Sequence, residues 1–228
     1  MPQPLSETPR TGSFGFSGPD PAPLGLVVFS MANIIQSFFN VGVDPALQPA
    51  AYPLEFLVGG VVQMIAGIIE FRQGSKLGAT AFTTLGAFWL CFVVYGADIV
   101  GRFPAARVHL ATGLFLLPWA VIIVVFTAAA LRTTGVLFAA FVSTSVNLCV
   151  LTVGTFLQST TLTRVGGAFG FLTAALGLYC ALAGLVNGTW GRHVLPTWPD
   201  PGRRLERFAR DRGRPTSVTS SAAERRHA

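Results

Sequence analysis

Long apolar runs alternate with short polar breaks along most of the chain. Six runs stand out, over 24–43, 54–71, 77–97, 108–131, 135–157 and 165–187. Each is long enough, as an α-helix, to cross a hydrocarbon core of roughly 30 Å. The breaks at 44–53, 72–76, 98–107, 132–134 and 158–164 are short. Short links join antiparallel neighbours, so the pattern predicts an all-α integral membrane protein, a six-transmembrane-helix bundle. Pro21 and Pro23 suit the first helix start, where a missing N–H costs nothing, and Asp20 is a fitting cap for its positive end. Pro118 predicts a local kink in the fourth helix.

The polar positions inside these runs are ordered. Phe29, Asn33, Gln36 and Asn40 step by four, three and four, so they share one face of the first helix. Gly59, Gln63, Gly67 and Glu70 lie along one side of the second, where small residues allow close helix approach. Thr80 and Thr84 lie near one face of the third helix, with Thr83 beside them, and Ser143 and Asn147 mark the fifth. The sixth repeats Gly166, Gly170, Thr173, Gly177, Cys180, Gly184 and Asn187, a seam that needs a close partner. An amide in hydrocarbon is costly unless bonded or wet. Such stripes mark either interhelical glue or a path for a polar guest.

Composition sharpens the class. Of 228 residues, 51% are apolar and 11% charged, and the mean hydropathy is +0.58. That is the balance of a polytopic membrane protein. Residues 1–19 are polar and rich in Gly, Pro and Ser, and read as a disordered N-terminus. They lack the basic and apolar regions of a cleavable signal, so the first helix is expected to act as the insertion signal. Residues 20–190 form a six-helix transmembrane domain on this reading, and 191–228 a basic, largely disordered tail. The tail holds nine arginines against four acids. It follows a membrane span, so topology and anionic lipid explain it, and nucleic acid is not an expected partner. Arg10, Arg72, Lys76, Arg132 and the tail arginines fall on one side, against Arg102, Arg107 and Arg164 on the other. Both termini are therefore expected in the cytoplasm. Glu70, near the end of the second helix, is expected to pair with Arg72 at the interface. Cys91, Cys149 and Cys180 each lie in an apolar run with no metal-ligand or disulfide spacing, so no metal or cofactor is expected.

Three blocks carry a more specific signal. The first is PAPLGL at Pro21–Leu26, with Phe29 and the Asn-Val-Gly of Asn40–Gly42. The second is the Gly-, Gln- and Thr-rich stretch Gly59–Trp89. The third is Asn187, Gly191–Arg192 and Val194–Pro196. In this order and spacing the chain resembles the succinate–acetate permease family, also called acetate uptake transporters, from about Asp20 to Pro196. The resemblance implies a six-helix plasma-membrane protein assembling as a homo-hexamer, with a central pore in each protomer. It implies transport of acetate, in some members succinate, coupled to protons. It also implies a mid-membrane waist of three bulky residues, Phe, Tyr and Leu. Phe29 matches the first, whereas Leu85 stands for the Tyr and Thr144 for the Leu, which makes the waist less aromatic, wider and more polar. Asp20 replaces the Asn that opens the first block and adds a charge near one pore mouth, where Glu70 is also placed.

From the residues alone, no charged side chain falls near the middle of a run. The candidate path is instead neutral: Asn33, Gln36, Asn40, Gln63, Thr80, Thr83, Thr84 and Asn147. Such groups bind a carboxylate weakly and in series, which suits passage. Taken with the resemblance, the expected function is movement of acetate or a similar small carboxylate with a proton, past a hydrophobic waist that the resemblance places at Phe29, Leu85 and Thr144. The alternative is a passive channel for a small neutral solute such as urea, an amide or ammonia. No paired carboxylates, metal cluster or nucleophile–base set supports an enzyme.

Overall fold

A computed structural model describes residues 18–203 as a bundle of six long helices, with no strand among the described residues. They are α1 (Ala22–Val41), α2 (Tyr52–Gln73), α3 (Lys76–Arg102), α4 (Ala105–Ala130), α5 (Gly135–Phe156) and α6 (Thr160–Trp190). Each predicted run lies inside or within two residues of one of these helices. The N-cap position of α1 falls on Pro21, which has no side-chain cap, and Asp20, one residue earlier than expected for a cap, accepts from the Ala22 N–H at 2.9 Å. Gly42 ends α1: its φ of +113° is open to glycine, and it lets the N–H groups of Gly42 and Val43 reach the Phe39 and Phe38 carbonyls. A short 3-10 turn, Pro45–Ala50, leads into α2. Glu55–Val62 within α2 is wound as a π-helix, a wider coil that shifts the register of the residues after it.

Helices adjacent in sequence pack side by side, and α6 closes the ring against α1. The α3–α4 seam has the least backbone contact and is filled by rings. Tyr95 stacks on Phe115 with centroids 4.7 Å apart, and Phe88 meets Trp119 edge-on at 5.3 Å. The Tyr95 and Thr112 hydroxyls bond at 2.8 Å across the same seam. α4 runs unbroken through Pro118 and exposes Leu114, Leu117, Val121, Val124 and Val125. That apolar outer face suits lipid or a neighbouring subunit.

The chain after α6 departs from the expected disordered tail as far as Arg203. Asn187 Oδ1 accepts from the Val194 and Leu195 N–H groups at 2.7 and 2.9 Å, and its Nδ2 donates to the Leu195 carbonyl at 2.9 Å. The Trp198 and Thr197 carbonyls then accept from Gly135 and Val136 N–H, at 3.1 and 3.3 Å. These first-turn amides of α5 have no partner within their own helix. The prolines that block a helix here leave an extended strap free to satisfy them. The basic segment expected beyond residue 203, like residues 1–17, lies outside the described residues.

Candidate functional site

Two cavities lie end to end inside the ring, walled mainly by α1, α3 and α5. The one nearer the chain termini has a free volume of about 180 Å³. Its walls include Ala22, Leu26, Glu70, Ser75, Phe82, Ile123 and Phe141. The other has about 40 Å³ and is walled by Asn33, Gln36, Ser37, Asn40, Phe88, Trp89, Asn147 and Leu148 among others. By volume it takes a few waters or one small guest. Phe29, Leu85 and Thr144 wall both cavities. All three are buried, one from each of α1, α3 and α5, and they stand where the two spaces meet.

Polarity divides at that line. The smaller chamber carries the amides and no charged side chain. The larger is apolar except for hydroxyls at its edges and Glu70. Much of the amide stripe is already bonded. Asn33 Nδ2 donates to the Phe29 carbonyl at 2.9 Å, and Gln36 Nε2 to Asn40 Oδ1 at 3.1 Å. Gln36 Oε1 accepts from Gln48 Nε2 at 3.2 Å, which ties the stripe to the 3-10 turn. Thr144 spends its hydroxyl on the Ala140 carbonyl at 2.7 Å. Asn147 is the exception. It is 5% exposed, and its Oδ1 is buried with no partner. Its amide nitrogen backs onto α6 at Gly170, where a Cβ would stand 2.8 Å away.

The remaining residues singled out from the sequence fall elsewhere. Gln63 is 0% exposed but lines neither chamber. Thr80 is exposed and bonds back to the Lys76 carbonyl. Thr83 bonds to the Ala79 carbonyl and packs on Gly67 in the α2–α3 seam. Thr84 is half-buried and also outside both chambers. Hydroxyls on a helix are readily satisfied by the carbonyl four residues back, so their presence in an apolar run need not mark a path. Asp20 is exposed and lines a side pocket with Asn187 and His193. The expected Glu70–Arg72 pair is absent: Glu70 is 3% exposed and points with Ser75 onto Gly78, while Arg72 is exposed. Their two-residue spacing puts them on different faces of α2. Trp89, Ser37 and Leu148 of the smaller chamber carry no signal of a path in the sequence, where each reads as ordinary core.

Known proteins resemble this chain in sequence and in fold. The model of the GPR1/FUN34/yaaH family matches residues 12–201. The succinate-acetate/proton symporter SatP of Escherichia coli K12 is 32% identical over 178 residues, 78% of this chain and 94% of the relative. Acetate permease A of Emericella nidulans is 30% identical over 214 residues, 84% of this chain and 72% of the relative. A solved structure of the bacterial acetate channel SatP superposes with a TM-score of 0.73 at 29% identity. That match covers 79% of this chain and 99% of the other.

Proposed function

The chain belongs to the GPR1/FUN34/yaaH family, and from that premise we propose that it carries acetate or a similar small carboxylate, succinate included, through its own bundle together with a proton. The supporting observation is the placement of Phe29, Leu85 and Thr144, which wall both chambers at once. A guest moving from one chamber to the other must pass between them. The neutral, amide-walled chamber receives it without holding it, because no fixed cation is there to trap an anion. Phe29 and Leu85 close the dry waist by excluding water until a guest arrives. Asn33, Gln36, Asn40 and Asn147 line the approach, and Asp20 and Glu70 lie toward the other mouth. Gln63, Thr80, Thr83 and Thr84 pack helices in this reading and do not touch the guest.

The lipid bilayer is the solvent for the outer faces of α4 and α6. The protein acts in the plasma membrane as a multi-pass homo-hexamer with both termini cytoplasmic, the side that collects most of the arginines. A second reading rests on Asn147 Oδ1, an unpartnered acceptor that suits a guest bearing its own N–H or O–H. This is the passive channel for urea, an amide or ammonia.

The test is uptake of labelled acetate into proteoliposomes under an inward proton gradient, challenged with propionate, lactate, succinate and urea. Carboxylate transport predicts gradient-dependent uptake displaced by the acids. Uptake indifferent to the gradient and displaced by urea would give the neutral channel instead.

A further inference from the structure

Glu55 belongs to neither chamber, yet it is 0% exposed and neither carboxyl oxygen has a partner. It opens the π-helical stretch of α2. Two other groups nearby share its isolation. Both polar atoms of the Gln63 amide are buried without a partner, and so is the indole Nε1 of Trp89. All three belong to the packing of α2 against α3. Glu55, Gly59 and Gln63 follow one another along α2 at intervals of four. A Cβ on Gly59 would lie 3.1 and 3.2 Å from Trp89 Cγ and Cδ1, the latter being the carbon bonded to Nε1. The indole therefore rests on the glycine between the acid and the amide. Trp89 also walls the amide-lined chamber, so one side chain separates the guest's space from the Glu55–Gln63 line.

No cation meets this carboxyl among the described residues. α1, packed against the π-helical stretch, has no charged or titratable side chain. α3, packed on its other flank, brings Lys76 at the far end of the bundle, Cys91, which is exposed, and Tyr95, whose hydroxyl is bonded to Thr112. Its Asp98 and Arg102 pair with each other at the surface. On α2 itself, Tyr52 stands one turn before Glu55 with its hydroxyl against Gly96, and Glu70 and Arg72 lie at the opposite end. A carboxylate enclosed without a cation or hydrogen-bond partner is costly, and taking up a proton removes that charge. An ionisable side chain kept at such a place in a membrane helix marks a proton or ion route, and a π-helical turn is itself frequent at functional sites.

We infer that Glu55 is a proton-binding site of the carrier, set behind the chamber wall, where it holds the proton that accompanies the carboxylate. The step is a simple protonation: a carboxylate oxygen takes a proton from water and later returns it to water. The Trp89 N–H and the Gln63 amide are positioning groups that reach the acid through a shared water rather than directly. This inference rests on the proton-coupled reading above.

The intact protein in liposomes is treated with dicyclohexylcarbodiimide, a lipophilic reagent that adds to protonated carboxyls, and the adduct is mapped by mass spectrometry. An adduct on Glu55 that declines as the pH is raised is expected. Initial acetate uptake is then measured against the outside pH, subtracting protein-free vesicles. A gradient of about one pH unit changes the outside proton concentration about tenfold, so wild-type uptake rises by up to about that factor. E55Q flattens this response, and E55D, which keeps a carboxyl, retains it. An unmodified Glu55 beside a modified Glu70, or an E55Q protein with the wild-type pH response, overturns the inference. If E55Q does not fold, the carbodiimide map of the wild-type chain decides alone. If wild-type vesicles take up no acetate, the transport reading fails, while the labelling result still judges Glu55.

Discussion

Asn147→Asp tests whether an anion crosses the amide-walled chamber. The exchange replaces one amide nitrogen by oxygen and leaves the shape unchanged. Asn147 is buried and shares a chamber of about 40 Å³ with Asn33, Gln36 and Phe29. A guest in so small a space lies on the order of 4 Å away, and two like charges at that separation repel by about 4 kcal/mol at an effective dielectric of about 20. At 1.4 kcal/mol for each factor of ten, acetate passage falls by up to about a thousandfold. The sign with pH follows. A buried acid stays protonated and neutral at low pH, so the loss is small there and grows as the pH rises and the new carboxylate ionises. The assay is initial-rate uptake of labelled acetate into proteoliposomes, with equal pH on both sides, over a pH series. Asn147→Ser, which adds no charge, serves as the steric control and loses far less. Wild-type uptake by N147D at alkaline pH would refute an anion path beside Asn147. Equal loss in both variants at every pH would remove the electrostatic argument.

Phe29→Ala opens a volume on the order of 100 Å³ at the waist, joins the two chambers, and should raise the ratio of succinate to acetate uptake in a competition assay. F29R, which puts a cation in the constriction, should stop flux, and unchanged uptake would place the waist elsewhere. Gly59→Leu puts a Cβ 2.7 Å from that of Ala32 and 3.1 Å from Trp89 Cγ, so overpacking should cost about 1–3 kcal/mol, read as a lower thermal midpoint in detergent. Asn187→Ala removes three hydrogen bonds to the strap after α6. It should cost about 1–3 kcal/mol and make the chain near residue 194 an early site of limited proteolysis.

The six helices were legible because hydropathy and proline–glycine punctuation act locally, and both are written along the chain. The stripe Phe29, Asn33, Gln36, Asn40 was legible for the same reason, since periodicity alone puts it on one face. What escaped was burial at helix ends. Glu55 stands near the start of the second apolar run, where its position gives no sign of burial, yet it is wholly enclosed where α2 packs between α1 and α3. Glu70 read as half of a surface pair because Arg72 is near in sequence, while packing turned it toward a cavity. The α3 threonines read as path residues, but their hydroxyls can be spent on their own helix, which no pattern of polar positions reveals. The strap escaped because its hydrogen bonds join Asn187 and the start of α5 to segments that carry no periodic signal.

That strap has a practical bearing on shortening the chain. A boundary drawn from hydropathy would cut just after Trp190, where the apolar run stops. Such a cut strips the acceptors from the Gly135 and Val136 amides and the Gly202 N–H contact to the Leu131 carbonyl. It unclasps the helix that carries both Thr144 and Asn147. Expression variants and reporter fusions should therefore keep everything through Arg203 and place the junction beyond it.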